Sequence, residues 1–286
     1  MNERLKRIRE ASKEAAAQIA IKKANLQKSG AAVSAKALIY KSSTVKSELP
    51  QDEENVIYRT IIANTYLYKD SHDDVHLENL FSKSIKETKT IYFLHDHEFK
   101  TTAQVGVILK SYEKEITWKE AGLDIEGSTM ALLHDVKIER VKNASIFEQY
   151  KNGEVKQHSV GMQYVTIKFA ADDAEDKEAY KLYTSILPTI GNKEEVQEQG
   201  YFYAVSEAKI RETSTVLMGS NDLTGVLNHN DKELTKEEEL QKVLQKFDNI
   251  ENIDKICKEY KNTLSNDEPP SSTQKKRKPF DYSKII

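Results

Sequence analysis

The chain is poor in cysteine, proline, glycine and long apolar runs, and each shortage excludes a class of protein. A single cysteine, Cys257, among 286 residues rules out an internal disulfide framework and any zinc site built on several cysteines, and points to a reducing compartment. Cys257 itself reads as a small apolar helix residue. No stretch approaches the ~20 consecutive apolar residues of a membrane-spanning helix. The start MNERLKRIREASKEAAA lacks the apolar core of a secretory signal, so a cytosolic protein is expected where it is made. Net charge is also small: 43 basic and 46 acidic side chains leave -3, which gives no general case for nucleic acid. The charges are unevenly placed, with Lys and Arg in excess over residues 1–47 and acid dominating 171–200 and 222–254, so the N-terminal arm suits an acidic partner. An apolar content of 38% buries a core in only part of the chain, and a folded centre between polar ends is expected.

Residues 3–28 contain neither Gly nor Pro and space Leu5, Ile8, Ala11, Ala15, Ile19 and Leu26 at helical intervals, which predicts an amphipathic helix. Its thin, alanine-diluted stripe needs a partner surface. A linker follows up to Asn55. VIYRTIIANTYLY from Val56 predicts one long strand, KDSHDD a polar turn, and residues 75–87 a short helix with Leu77, Leu80, Phe81 and Ile85 on one face. Strands are expected at 90–95, 104–112, 114–119 and 123–132, then a helix at 138–151, a strand at 155–170, a helix around 175–186 in an acidic segment, and a strand at 201–218. Strands broken by a few helices without a βαβ rhythm indicate a mixed, β-barrel-like domain rather than a doubly wound sheet. Residues 234–264 predict a last helix. The Pro- and Ser-rich tail after it is too polar to hold itself folded.

Three strand-like segments carry a potential acid-base-nucleophile set: FLHDHEF at 93–99, KQHSVGMQY at 156–164 and IRETSTV at 210–216. A serine hydroxyl becomes a useful nucleophile when a neutral imidazole takes its proton, and a third group that fixes the imidazole tautomer completes the set. His95 and His97 are both candidates for the base, being two residues apart and so on one side of a continuing strand. His158, next to Ser159, turns to the other face and suits a structural or dimer-contact role. Asp96 and Glu98 beside the two histidines also raise a metal-dependent hydrolase, although neighbouring strand residues alternate faces and offer at most two ligands together.

In order, the fragments KDSHDD, HLENLFSKSIKE, YFLHDHEF, Val105-Gly106, GLDIEG at 122–127, HSVGMQY and ETSTVLMGSN at 212–221 resemble the prohead (capsid maturation) proteases of tailed phages, distant relatives of the herpesvirus assemblins. The resemblance runs from about Val56 to Asn221. It departs from the family in the Asp-rich turn, where His72-Asp73-Asp74 lacks the usual Gly, and at Met162, where an aromatic is usual. It implies an α+β fold with a mainly antiparallel, β-barrel-like protease core, flanking helices, and helical or disordered termini. The corresponding division is 1–50 as a scaffold-like or targeting helix and linker, 51–230 as the protease domain, 231–264 as a C-terminal helix and 265–286 as a basic tail. Ser159 becomes the nucleophile, His97 the base by its position after Leu94 and before Val105-Gly106, with His95 in reserve, and Glu212 the orienter, with Glu207 and His158 as rivals.

The implied activity is a serine endopeptidase that trims scaffold and inner procapsid proteins and possibly itself, without cofactor or metal. Major capsid protein and scaffold are the expected substrates or docking partners, a homodimer or higher oligomer the expected state, and the host cytoplasm, inside the procapsid or virion, the expected location. No membrane and no specific nucleic-acid binding are expected. The alternative from a different class is a non-catalytic scaffold or inner capsid protein that retains the fold and works through its helices. The cluster Lys275 to Lys278 suits an acidic capsid interior or a soluble basic tail.

Overall fold

The computed structural model describes residues 3–24 and 49–227; the expected helix at 234–264 and tail at 265–286 lie outside them. The elements run α1 (Glu3–Ala24), β1 (Val56–Thr65), β2 (Asp74–His76), α2 (Ser82–Glu87), β3 (Tyr92–His95), β4 (Gln104–Thr117), α3 (Trp118–Ala121), β5 (Ser128–Glu139), α4 (Ala144–Lys151), β6 (Gln157–Ala171), α5 (Lys177–Ile186), α6 (Lys193–Gln199), β7 (Tyr201–Val216) and β8 (Val226–Leu227). No described helix is long and apolar enough to cross a membrane.

All eight strands join one mixed, mostly antiparallel sheet. β7 organises it. One edge of this 16-residue strand pairs antiparallel with β6 over its whole length. The other edge pairs in parallel with β2 at Tyr203–Val205 and with β3 at Glu212–Thr215. From β3 the ladder continues through β4, β5 and β1 to β8. The expected barrel-like closure is not formed: among the described residues no strand pairing joins β6 back to β1 or β8, and the sheet is open.

Several boundaries differ from the sequence reading for local reasons. The apolar spacing at 75–87 suggested helix throughout, but Asp74–His76 adds to β7 as a short strand and helix is confined to Ser82–Glu87. In place of two strands at 104–112 and 114–119, Gln104–Thr117 form one 14-residue strand with a register shift between Ile108 and Lys110, and helix α3 begins at Trp118 behind the Thr117–Glu120 capping box. The helix expected from 138 starts at Ala144, where the Asn143 side chain accepts from Ile146 N, because Ile138 and Glu139 still pair with β1. The acidic segment holds a second helix, α6, that the sequence reading did not separate.

The thin stripe of α1 does find a surface. Ile8 is buried against Ala171 and Ala179, and Ala15 joins the cluster of Tyr66, Phe81, Val205 and Ile210. Part of the basic excess is met within the chain: Arg4 pairs with Asp172 at 2.6 Å, Arg9 with Glu175 at 2.8 Å and Lys22 with Asp74 at 2.6 Å.

Gly106 lies in the middle of the sheet, opposite Phe93 and Ile138. A Cβ there would stand 1.9 Å from the Lys137 carbonyl oxygen and 3.0 Å from Ile138 Cα. Backbone has to move to make room, so Gly106→Ala is expected to cost about 3 kcal/mol or more, read as a lower urea midpoint at unchanged slope. A loss below about 0.5 kcal/mol would contradict this close approach of β4 to β5.

Candidate active site

Side chains alternate faces along β7. Glu212 and Ser214 point to one face; Thr213 and Thr215 point to the other. On the inner face Thr213 Oγ1 lies 2.9 Å from His134 Nε2, and Thr215 Oγ1 lies 2.7 Å from the Tyr150 hydroxyl. That hydroxyl also meets His158 Nε2 at 2.6 Å, and His158 Nδ1 lies 2.7 Å from the Thr224 carbonyl oxygen. Burial pushes the His158 pKa down to about 4, and burial together with the nearby His158 takes His134 down to about 3. Both imidazoles are neutral props behind the strand.

The outer face carries the candidate chemistry. Glu212 is fully buried, and its Oε1 lies 2.6 Å from His97 Nδ1. Its Oε2 accepts from the Ser214 hydroxyl at 2.6 Å, and the Ser214 oxygen in turn accepts from the backbone N–H of His97 at 3.1 Å. Ser214 thus holds both the carboxylate and the backbone that carries the imidazole. The hydrogen bond to Glu212 raises the His97 pKa above its ordinary value; burial opposes this, and the charges of Glu212 and Asp96 reinforce it. With Nδ1 committed, Nε2 is left for a reacting group, on a side chain that is 41% exposed.

Ser159 sits on β6 directly opposite Ser214, and Gly161 directly opposite Glu212. Opposed residues of an antiparallel pair share a face, with Cβ atoms roughly 5 Å apart. Ser159 therefore lies on the Glu212–His97 face. Its half-buried hydroxyl makes no hydrogen bond to another described residue. Gly161 is glycine for a steric reason: a Cβ would stand 2.0 Å from Glu212 Oε1, so the carboxylate occupies the space a side chain would need.

The remaining candidates lie elsewhere. β3 ends at His95, and Asp96 and His97 both adopt positive φ, 50° and 54°, so the expectation that His95 and His97 share one side of a strand fails at this turn. His95 pairs in register with Thr215, on the face opposite Glu212, and among the described residues its ring has one polar partner, its neighbour Asp96, at 3.4 Å. Glu207 is engaged by Lys83 at 3.2 Å and lies opposite Thr166, away from His97. His158 faces inward. Among the described residues, His95 to Glu98 do not form a group able to hold a metal ion. Sequence reasoning gave Ser214 no role, although the Glu-x-Ser spacing in a strand was a signal that both side chains share a face.

Comparison with known proteins returns nothing: no protein family, no curated protein and no solved structure matches this chain.

Proposed function

We propose that the chain is a serine endopeptidase of the capsid-maturation type, with Ser159 as nucleophile, His97 as general base and Glu212 as the group that orients His97. The observation that carries this reading is the 2.6 Å contact of His97 Nδ1 with the buried Glu212, on the sheet face that also holds the uncommitted Ser159 hydroxyl. Glu212 accepts the Nδ1 proton, which places the lone pair on Nε2. His97 Nε2 then takes the Ser159 proton as the oxygen attacks the peptide carbonyl carbon. Collapse of the tetrahedral intermediate breaks the C–N bond, the imidazolium returns its proton to the departing amine, and water clears the acyl-enzyme by the same steps in reverse. Scaffold and capsid precursor chains inside an assembling procapsid are the proposed substrates, and a homodimer or higher oligomer the proposed state, both from the resemblance in motif order.

A fluorophosphonate probe tests the assignment without a known substrate. Mass spectrometry is expected to find the adduct on Ser159. Because only neutral His97 accepts a proton, labelling should be slow at acid pH and rise as pH passes through the raised His97 pKa. Glu212→Gln should both slow labelling and shift its midpoint to lower pH, since the main cause of the raised pKa is removed. An adduct on Ser214 or on no serine would overturn the reading.

A further inference from the structure

The strongest feature outside this site is a group of buried ionisable side chains at the start of β2. Asp70, Asp74 and His76 are 3%, 0% and 2% exposed, and one ligating atom from each lies within 4.8 Å of the others. Asp70 Oδ1 accepts from the backbone N–H groups of His72 and Asp74 at 2.8 and 3.0 Å, which closes the KDSHDD turn and leaves Oδ2 without a hydrogen bond from a described residue. Asp74 Oδ2 accepts from the Tyr164 hydroxyl at 2.7 Å, and Oδ1 from the Lys22 ammonium at 2.6 Å. Of the two carboxylates, both almost out of solvent, Asp74 alone pairs with the Lys22 ammonium, and buried charge in excess of its partners is costly.

His76 supplies the observation that points to a ligand. Its Nδ1 lies 2.9 Å from Asn64 Oδ1, an oxygen that Asn221 Nδ2 also approaches at 3.5 Å. Nδ1 is therefore the protonated nitrogen and Nε2 carries the lone pair. That Nε2 is buried with no hydrogen-bond partner among the described residues. A neutral imidazole with Nδ1 held by an amide oxygen, Nε2 without a partner, and a ring nitrogen within 4.8 Å of an oxygen of each carboxylate, suits a metal-ligating histidine with its supporting partner.

We propose that Asp70, Asp74 and His76 form a site for a divalent transition-metal cation, which competes with the Lys22 ammonium for Asp74. Two carboxylate oxygens and one imidazole nitrogen suit borderline ions such as zinc. Lys22 is near the end of α1, where it also donates to the His72 carbonyl oxygen at 2.8 Å and lies 4.8 Å over the Tyr203 ring. The metal and the last turn of α1 are thus alternative occupants of one carboxylate. Coupling of this kind is reciprocal: metal loosens the helix end, and removal of the ammonium tightens the metal. This inference is independent of the hydrolytic reading, since no residue is shared.

Titration of the full chain with zinc chloride, followed by calorimetry, and with cobalt chloride, followed by visible absorption, tests it. A site present in the wild type and in His97→Ala, but lost in His76→Leu, is expected. Lys22→Met should bind zinc about tenfold or more tightly, as loss of a charge-assisted competitor implies, and Asn64→Ala should weaken binding by about 10–100-fold. The Lys22→Met arm does not depend on the folding of the buried variants. If neither wild type nor Lys22→Met binds either ion beyond what His76→Leu retains, or if Lys22→Met leaves the affinity unchanged, the cluster serves only to anchor α1.

Discussion

Ser159→Ala is expected to stop cleavage while leaving the chain folded. Expressed with the capsid and scaffold proteins proposed as its substrates, the variant should accumulate them, and itself, at full length. The rate on a synthetic peptide should fall by a factor on the order of 10⁴ to 10⁶, the scale seen when the nucleophile of a serine triad is removed. The expected stability change is small, within about 0.5 kcal/mol, because Ser159 is half-buried and its hydroxyl has no hydrogen-bond partner among the described residues to abandon. That pairing of a large kinetic loss with an unchanged melting temperature separates a reacting atom from a packing one. Identical fragments from the wild type and the variant, or none from either, would remove the hydrolytic proposal and leave the alternative of a structural scaffold component.

Gly161→Ala should be nearly as damaging, for a different reason. The added methyl would stand 2.0 Å from Glu212 Oε1 and 2.8 Å from Cδ, and the carboxylate can retreat only by giving up its contacts with His97 and Ser214. An orienting carboxylate that no longer meets its imidazole costs about 10⁴-fold in kcat. A buried charge stripped of its partners costs about 3–5 kcal/mol in stability. Both losses are expected together, with the His97 titration, followed by proton NMR, moving down toward the ordinary histidine value. A Gly161→Ala variant whose labelling or cleavage rate stays within tenfold of the wild type would mean that Glu212 does not work from the position described.

Much of this was legible in the chain because strands impose a period of two. The β-branched run from Val56, the Ser159-x-Gly161 spacing and the Glu212-x-Ser214 spacing each identify a face before any pairing is known. What the spacing does not contain is which strands meet. The opposition of Gly161 to Glu212 is a property of the β6–β7 register, so the segment HSVGMQY alone does not say that its glycine makes room for a carboxylate. The choice between His95 and His97 turned on two non-glycine residues with positive φ, a conformation that local propensity disfavours and that surrounding contacts, including the His97 N–H to Ser214 bond, hold in place. The strand at Asp74–His76 was hidden for a similar reason: Leu77, Leu80, Phe81 and Ile85 keep a helical interval, while the parallel edge of β7 decides what the preceding residues do. Closure of the sheet likewise depends on its ends meeting, and no single segment encodes that.

The position of β7 also bears on translation. It alone is hydrogen-bonded to both β3 and β6, yet it is the last of the three to emerge from the ribosome. A nascent chain that ends before Glu212 carries its imidazole and its hydroxyl on segments with no common support at that point of the sheet, and it lacks the carboxylate that meets the imidazole. On the proposed function, a chain still short of this strand would lack proteolytic competence, and synthesis itself would delay the activity until β7 has emerged.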